Sequence, residues 1–284
     1  MDAIEVSGLR KTYAGQEAVR GIDLTVTRGE VFALLGPNGA GKTTTVEILE
    51  GHRKRTAGTV TVLGDDPGTA GRAWRSRIGV VLQDADDAAD LTVTEMVRHV
   101  AGLYADPRPV AEVIDLVGLS EKRGSKIRAL SGGQRRRVDV ALGIVGRPEL
   151  LFLDEPTTGF DPAARRQFWD LIRALAAEGT TILLTTHYLE EAQSLADRVA
   201  IIKDGLIVAE GPPSELSSRP GAYRVSYQQN GHRVELETED PTSLLHQLTG
   251  DALEKGERLE GLSVSRPTLE DVYLELTAPE EAAE

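Results

Sequence analysis

The clearest pattern in the chain is a set of hydrophobic runs. Residues 31–35, 78–82, 150–153 and 181–185 are apolar with few interruptions, which is typical of strands buried on both faces of a parallel sheet. Between the last two runs, apolar residues recur at helical spacing after the Asp161-Pro162 pair. Strand, helix and strand therefore alternate, and this order predicts a mostly parallel sheet covered by helices.

Two other patterns interrupt this core. Residues 2–12, 22–27 and 59–63 alternate between apolar and polar side chains, and a period of two predicts half-buried, paired strands. From about residue 84 to 147 the apolar spacing is helical, with a capping-box pattern at residues 92–95. The sequence thus predicts a β-rich opening and a helical subdomain inserted into the strand–helix core.

The last part of the chain has a different character. Proline, glycine and serine cluster at residues 212–221, which predicts a domain boundary. Residues 220–278 contain short alternating runs and two helical segments, at 241–248 and 269–276, as expected for a small α+β domain. The first domain would span residues 1–215, and residues 279–284 would be a loose tail.

The composition narrows the class of protein. A chain of 284 residues with 40% hydrophobic and 27% charged residues is typical of a folded globular protein. Its net charge of −13 argues against nonspecific nucleic-acid binding, which needs a basic face. The absence of cysteine excludes disulfides and thiolate metal sites. The acidic start and the lack of an apolar run of about 18 residues predict neither export nor a membrane span.

A glycine-rich loop follows the first hydrophobic run and precedes a helical pattern. It fits the G-x-x-x-x-G-K-[ST] phosphate loop, whose small residues let backbone N–H groups converge on a phosphate. Lys42 would reach the outer phosphates, Thr43 would bind Mg²⁺, and the helix dipole would add to the anion site. The alternative is a glycine-rich turn without a ligand. The predicted nucleotide-binding residues of this loop are Gly36, Pro37, Asn38, Gly39, Ala40, Gly41, Lys42, Thr43 and Thr44.

Two adjacent carboxylates, Asp154 and Glu155, follow the run at 150–153. Ligands of open α/β sheets bind at the carboxyl ends of strands, so we expect Asp154 to hold Mg²⁺ opposite Thr43. Glu155 is then suited to orient and deprotonate the water that attacks the γ-phosphate. A salt-bridged pair at a strand end is the structural alternative.

Residues 130–134 read Leu-Ser-Gly-Gly-Gln, and five specified residues in a row rarely arise by chance. This segment resembles the signature motif of the ATP-binding subunits of ABC transporters, and the resemblance extends over residues 1 to about 215. It implies a P-loop NTPase (RecA-like) α/β core with an antiparallel β subdomain and an inserted α-helical subdomain. It also implies a head-to-tail dimer, in which the ATP on one phosphate loop is capped by residues of the second copy. Those residues are Ser131, Gly132, Gly133 and Gln134.

The same resemblance implies roles for isolated residues. Tyr13 would stack on adenine, Gln83 would contact Mg²⁺ and sense the partner, and His187 would hydrogen-bond the γ-phosphate and Glu155. Gln83 and His187 are thus expected to act beside Glu155 in catalysis. Asp161 would reach the dimer interface and could at the same time cap a helix. Without the resemblance, Tyr13 would indicate surface packing and His187 a solvated strand end.

Three further features allow more than one interpretation. Residues 135–137 are three arginines; because neighbours on a helix point in different directions, a solvated face or local ion pairs are favoured over a nucleic-acid or lipid site. Aspartates cluster at residues 84–90, where the family receives a helix of the membrane subunit, so they would meet a basic helix or form a solvated loop. Phe160 replaces a commoner leucine, which predicts a packing change at the interface.

Residues 266–274 resemble the C-terminal motif of ABC-2-type exporter subunits of the daunorubicin/doxorubicin-resistance kind. This implies an ATP hydrolase, using ATP and Mg²⁺, that powers efflux of drugs, antibiotics or other amphiphilic compounds. The implied partners are a second copy and separately encoded transmembrane permease subunits, without nucleic acid. The chain would reach the membrane only through the permease, at the cytoplasmic face of the bacterial cell membrane. Lipid or polysaccharide export is an alternative, and a non-transport ABC ATPase fits less well because no second cassette or coiled-coil insertion is present.

Overall fold

The computed structural model describes residues 2–81, 90–217, 223–229, 232–256 and 258–278. The chain divides into two compact units, Met1–Glu210 and Gly211–Glu284. Within the described ranges, no helix combines the length and the hydrophobicity that crossing a bilayer requires.

The first unit alternates strands and helices. Its strands are β1 (Asp2–Tyr13), β2 (Gln16–Thr27), β3 (Val31–Leu35), β4 (Ala57–Val62), β5 (Ile78–Val81), β6 (Leu150–Asp154), β7 (Thr181–Thr185), β8 (Arg198–Lys203) and β9 (Leu206–Gly211), the last ending at the unit boundary. Its α-helices are α1 (Lys42–Leu49), α2 (Arg72–Arg75), α3 (Val93–Ala101), α4 (Val110–Leu116), α5 (Gly132–Ile144), α6 (Pro162–Ala177) and α7 (Leu189–Leu195).

A six-stranded sheet forms the centre of this unit in the described part of the chain, with the order β5-β6-β7-β3-β8-β9. The pairs β5–β6, β6–β7, β7–β3 and β3–β8 are parallel, and every residue of β3 and β7 is buried. The predicted parallel sheet is confirmed. Because β6, β7 and β3 are neighbours, the loops at their carboxyl ends come together.

The antiparallel β subdomain is also confirmed. Strand β1 lies between β2 and β4 in a second sheet, in which Ile4 pairs with Val26 on one side and with Val62 on the other. All three side chains are fully buried, as the alternating pattern requires when one face of the sheet packs on the core.

The inserted helical subdomain contains α3, α4 and α5, which contact one another. Its first helix has the predicted capping box: the Glu95 N–H donates to the Thr92 hydroxyl oxygen at 3.2 Å, and the Thr92 N–H donates to the Glu95 carboxylate at 2.8 Å. This arrangement satisfies backbone donors at the start of α3.

The second unit is a small α+β fold. Its helices are α8 (Pro213–Ser217), α9 (Pro241–Glu254) and α10 (Leu269–Thr277), and its strands are β10 (Tyr223–Gln229), β11 (His232–Thr238) and β12 (Glu260–Ser265). The strands form an antiparallel sheet of order β11-β10-β12. Helix α9 is longer than the predicted segment 241–248, since the Thr249 hydroxyl donates to the Leu245 carbonyl at 2.6 Å and the helix continues through Gly250.

Candidate nucleotide-binding site

The phosphate loop turns sharply between β3 and α1. Gly41 has a φ of +108° and is the N-cap of α1. A Cβ atom at this position would lie 2.6 Å from the Ala18 carbonyl oxygen, so only glycine fits against β2 here. No side chain caps α1, and its first turn has no acidic residue. The start of this helix therefore keeps the positive dipole end and the backbone donors that suit an anion.

Lys42 is the first residue of α1 and is almost completely buried. Its ammonium donates to the carbonyl oxygens of Gly36 at 2.6 Å and Pro37 at 3.1 Å, so it bridges the loop. Burial lowers the pKa of this ammonium, and the carboxylates of Glu155 and Asp154 oppose that shift. The Lys42 side chain is thus held over the loop, close to where phosphates would bind.

A cleft of about 590 Å³ lies above this loop. It brings together the phosphate loop, the two carboxylates at the end of β6 and the histidine after β7. Its lining residues are Ala18, Asn38, Gly39, Gly41, Lys42, Thr43, Thr44, Asp154, Glu155 and His187. Gly36, Pro37 and Ala40 belong to the same loop but do not line the cleft. Most of the predicted phosphate-site residues therefore share one cavity.

The neighbouring strand β7 holds the carboxylate of Asp154 and the backbone of Glu155. The Thr185 hydroxyl donates to Asp154 Oδ1, and the Glu155 N–H donates to the Thr185 carbonyl oxygen at 3.1 Å. Glu155 has a φ of +45°, a left-handed conformation that costs about 1–2 kcal/mol outside glycine and persists only where the surroundings fix it. Thr185 is one such restraint, and no local sequence pattern indicates this role.

His187 completes this side of the cleft. Its Nδ1 lies 3.3 Å from Glu155 Oε2, and its ring lies 4.1 Å from the Tyr188 ring, measured between centroids. The guanidinium of Arg165, a residue of α6, lies 4.3 Å from the centroid of the Tyr188 ring. These contacts orient the imidazole toward the carboxylate of Glu155.

The residues present fit a magnesium ion. Thr43 and Asp154 both line the cleft, and hydroxyl and carboxylate oxygens are the ligands that Mg²⁺ prefers. Among the described residues, no group of three or more His, Cys, Asp or Glu could form a protein-only metal cage. Such a set suits an ion that is held by a few protein oxygens together with phosphates. The third predicted ligand, Gln83, lies outside the described residues.

Tyr13 lies beside the cleft rather than in it. It lines a neighbouring cavity of about 660 Å³ that shares Ala18 and Gly39 with the cleft. The Lys11 ammonium lies 4.9 Å and the Arg53 guanidinium 5.3 Å from the centroid of its ring. The phenol is therefore placed next to the phosphate loop, within reach of a group that extends from bound phosphates.

The signature residues lie elsewhere. Ser131 is the N-cap of α5 and forms a capping box with Gln134, with N–H donors at 3.3 Å and 3.1 Å from the side-chain oxygens. Ser131 and Gly132 are exposed. Asp161 caps α6 by accepting from two backbone N–H groups, each at 2.9 Å. None of these residues lines the cleft of its own chain. Gly133 and Gln134 do not line it either.

The arginine run is not a uniformly solvated face, because Arg136 is buried. This residue is 8% exposed, and it donates to the carbonyl oxygens of Pro156, at 3.3 Å, and Asp154. Hydrogen bonds to charged groups stabilise folded proteins by about 1.5–3 kcal/mol each. Arg135 is exposed, and Arg137 donates to Gln167 at 2.7 Å. The three side chains do point in different directions.

Two other ambiguous features have partners in the same chain. The Phe160 ring is buried and meets the Phe168 ring edge-on, with 5.8 Å between centroids. Asp90 pairs with Lys126 at 3.5 Å and Arg128 at 2.9 Å. The remaining aspartates of the acidic loop, Asp84, Asp86 and Asp87, lie outside the described residues.

Glu50, the residue after α1, escaped the sequence analysis. Its side chain is nearly fully buried, and His52 Nδ1 lies 3.2 Å from its carboxylate. Burial, with the negative charges of Asp154 and Glu47, raises the pKa of the Glu50 carboxyl to about 8. The sequence signal for this burial is that Glu50, a charged residue, directly follows the apolar residues Ile48 and Leu49.

Comparison with known proteins agrees with this geometry. The family model described as "ABC transporter" matches residues 19–158. The daunorubicin/doxorubicin resistance ATP-binding protein DrrA of Streptomyces peucetius is 41% identical, over 99% of this chain and 96% of that protein. The Nod factor export ATP-binding protein I of Rhizobium sp. (strain N33) is 39% identical, over 98% of each chain.

Solved structures share the fold. An ATP-binding subunit of an ABC transporter superposes with a TM-score of 0.73 at 24% identity, covering 97% of this chain and 99% of that one. A dimeric ATP-binding cassette in a post-hydrolysis state with ADP and Pi has a TM-score of 0.67 at 24% identity, covering 74% and 98%.

The chain belongs to the ABC transporter family, as an ATP-binding subunit of the type found in exporters. It is an ATP hydrolase. The predicted family, fold and enzyme class are confirmed.

Proposed function

We propose that this chain couples Mg²⁺-dependent ATP hydrolysis to the export of drugs, antibiotics or other amphiphilic compounds, with residues 1–215 as its ATPase domain. The observation that carries the proposal is the shared cleft of Lys42, Thr43, Asp154, Glu155 and His187. It holds the residue types that phosphoryl transfer to water requires: a phosphate cradle, metal-binding oxygens and a carboxylate base.

The five residues named above have four roles in this proposal. Lys42 and the N–H groups at the start of α1 bind the outer phosphates. Thr43 and Asp154, with Gln83, hold Mg²⁺, which neutralises phosphate charge when it is bound. Glu155 accepts the proton of the attacking water. His187 keeps the Glu155 carboxylate in place and donates toward the γ-phosphate.

The rest of the site belongs to a second copy of the chain. Ser131, Gly132, Gly133 and Gln134 lie at an exposed helix start and do not line their own cleft. Packing two copies head to tail would place this helix start over the partner's triphosphate, with Asp161 at the contact. The dimeric arrangement of a cassette with the same fold supports this proposal.

The cargo is proposed from the relatives. DrrA is named for daunorubicin and doxorubicin resistance, which favours small amphiphilic compounds. Relatives named for Nod factor export match about as well, at 39% and 44% identity, so lipid or polysaccharide export is the second candidate. In either case the chain would work on the cytoplasmic face of the cell membrane, bound to separately encoded permease subunits.

Substitution of Glu155 tests the catalytic part. Glu155→Gln should bind ATP with nearly unchanged affinity, form a stable ATP-bound dimer in gel filtration, and lose turnover by about a hundredfold to ten-thousandfold. Glu190, an exposed glutamate on α7, gives a matched control: Glu190→Gln should hydrolyse ATP at the wild-type rate. Hydrolysis by Glu155→Gln at the wild-type rate would disprove the assignment of the base.

The transport part is tested by affinity isolation of the tagged chain from detergent-solubilised bacterial membranes. We expect a protein with several membrane-spanning helices to copurify with the chain. Deletion of the chain should make cells accumulate the cargo. Recovery of the chain without any membrane protein would contradict the proposal.

A further inference from the structure

We propose that Arg136 is a positioning residue for hydrolysis, which connects the signature helix α5 to the backbone on both sides of Glu155. The inference rests on the proposed function, because it assigns Arg136 to the support of the base of that reaction. It concerns a residue that does not line the cleft.

Arg136 contacts the backbone of the segment from Asp154 to Pro156. Its Nε donates to the Pro156 carbonyl oxygen at 3.3 Å, and a terminal guanidinium nitrogen donates to the Asp154 carbonyl oxygen. These two carbonyls flank Glu155 in the sequence. A guanidinium is planar, permanently charged and rigid, so a single side chain can hold both oxygens at fixed positions.

The segment that Arg136 holds needs such a restraint. Glu155 adopts a φ of +45°, which residues with a Cβ rarely adopt unless the surroundings impose it. From the β7 side, the Thr185 carbonyl and hydroxyl oxygens accept from the Glu155 N–H at 3.1 Å and 3.2 Å. Arg136 acts from the side of α5. Together they set the direction of the Glu155 carboxylate, which lies 3.3 Å from His187 Nδ1.

The other arginines of the run do not share this position. Arg135 donates to the Leu130 carbonyl oxygen at the start of its own helix, at 3.1 Å. Arg137 donates to Val117 and Gln167. Within the described part of the chain, Arg136 is the member of the run whose hydrogen bonds reach the loop that carries Glu155.

This arrangement links the two halves of the proposed reaction centre. Ser131 caps the first turn of α5, and Arg136 lies five residues later on the same helix. A displacement of α5 when the partner's nucleotide meets Ser131 would pass through one buried side chain to the backbone of Glu155. Arg136 would thereby align the base when the second copy closes the site.

Kinetics of the full-length chain test the inference. Arg136→Lys keeps the charge but loses the planar guanidinium with its fixed N–H donors. Arg136→Met keeps most of the side-chain volume but loses every hydrogen-bond donor. We expect both variants to bind ATP within about twofold of the wild-type affinity, while kcat falls between about tenfold and about a hundredfold for Arg136→Met and less for Arg136→Lys. Arg135→Lys, the same change at an exposed neighbour, should leave kcat within about twofold.

A double-mutant cycle shows whether the effect passes through Glu155. In single-turnover measurements on a Glu155→Gln background, Arg136→Lys should cause no further loss, because two residues that act as one unit are not additive. An unchanged kcat in both Arg136 variants, a parallel loss of affinity and kcat, or the same fold-loss on both backgrounds would overturn the inference. Full activity of Glu155→Gln alone would instead show that the proposed base is wrong.

Discussion

The phosphate loop and the signature segment each lead into a helix, yet the two helix starts are built differently. The N-cap of α1 is Gly41, and no side chain caps this helix, whereas the N-cap of α5 is Ser131, with both partners of a capping box in place. No side chain engages the donors at the first helix start, whereas at the second Ser131 and Gln134 engage each other's N–H groups. The two helix starts therefore differ in how far their own side chains occupy the backbone donors.

The surroundings of the two helix starts differ in the same sense. The phosphate loop opens into a cleft that also contains Asp154, Glu155 and His187. Ser131 lies on the exposed surface, outside that cleft. A single chain should therefore bind ATP but hydrolyse it only when a second copy supplies the missing half.

Among the substitutions that distinguish the two helix starts, Ser131→Arg should have the largest effect on turnover. A bulky cation at the exposed helix start would block approach to the partner's triphosphate, and loss of one preorganised donor already lowers kcat by about a hundredfold to a thousandfold. ATP affinity of the single chain should stay unchanged in calorimetry. Ser194→Arg introduces the same side chain at an exposed position of α7 and should retain hydrolysis. If Ser131→Arg kept full activity, the two halves would not form one site.

Lys42→Ala should have the second-largest effect, and this substitution should weaken the binding of ATP. Removal of a charged donor from the phosphate cradle should raise the Kd for ATP by roughly tenfold to a hundredfold, as expected for lost charge-assisted hydrogen bonds. Isothermal titration calorimetry measures this directly, with the exposed Lys122→Ala as the control. An unchanged Kd would remove Lys42 from the phosphate site.

Tyr13→Ala should have a smaller effect that depends on the base. Loss of stacking should raise the Kd for ATP between about twofold and about tenfold, and Tyr13→Phe should restore the affinity because the ring face is kept. Binding of inorganic tripolyphosphate, which has no base, should not change. Equal losses for ATP and tripolyphosphate would show that Tyr13 does not contact adenine.

Glu50→Gln should leave nucleotide binding nearly unchanged and alter the pH dependence of stability. The folded chain keeps a proton on Glu50 up to about pH 8, while the ordinary value of 4.5 applies after unfolding. The folded state therefore binds more protons in this window, so the free energy of unfolding falls as pH rises from 4.5 to about 8.

The size of this effect is a few kcal/mol across the window. Denaturant titrations at several pH values should show a shallower decline for Glu50→Gln than for the wild type, with Glu5→Gln at an exposed position of β1 as the control. If the free energy of unfolding had the same pH dependence in the wild type and in Glu50→Gln, Glu50 would not be a buried carboxyl with a raised pKa.

The fold was predictable where the sequence pattern is local. Strands β3, β6 and β7 are buried on both faces, so their apolar runs predicted them directly. The strand order, with β3 between β7 and β8, depends on contacts between distant segments that no local pattern reports. The length of α9 was missed because Thr249 and Gly250, which usually end a helix, continue this one.

The candidate site shows the same division. The spacing of the motifs indicated which residues belong to the phosphate loop and to the end of β6, and the structure places most of them around one cleft. The burial of Arg136 could not be read from a run of three arginines, since it depends on a loop that begins 18 residues later. Thr185 and Glu50 likewise acquire their environment only through tertiary packing.

The central claim is that two copies of the chain share each reaction centre, and a mixture of two impaired variants tests it most directly. Lys42→Ala retains Ser131, and Ser131→Arg retains the phosphate loop, so a head-to-tail pair of the two has one intact centre. We expect the mixed variants to hydrolyse ATP well above the sum of their separate rates. A mixed rate equal to that sum would contradict a shared centre.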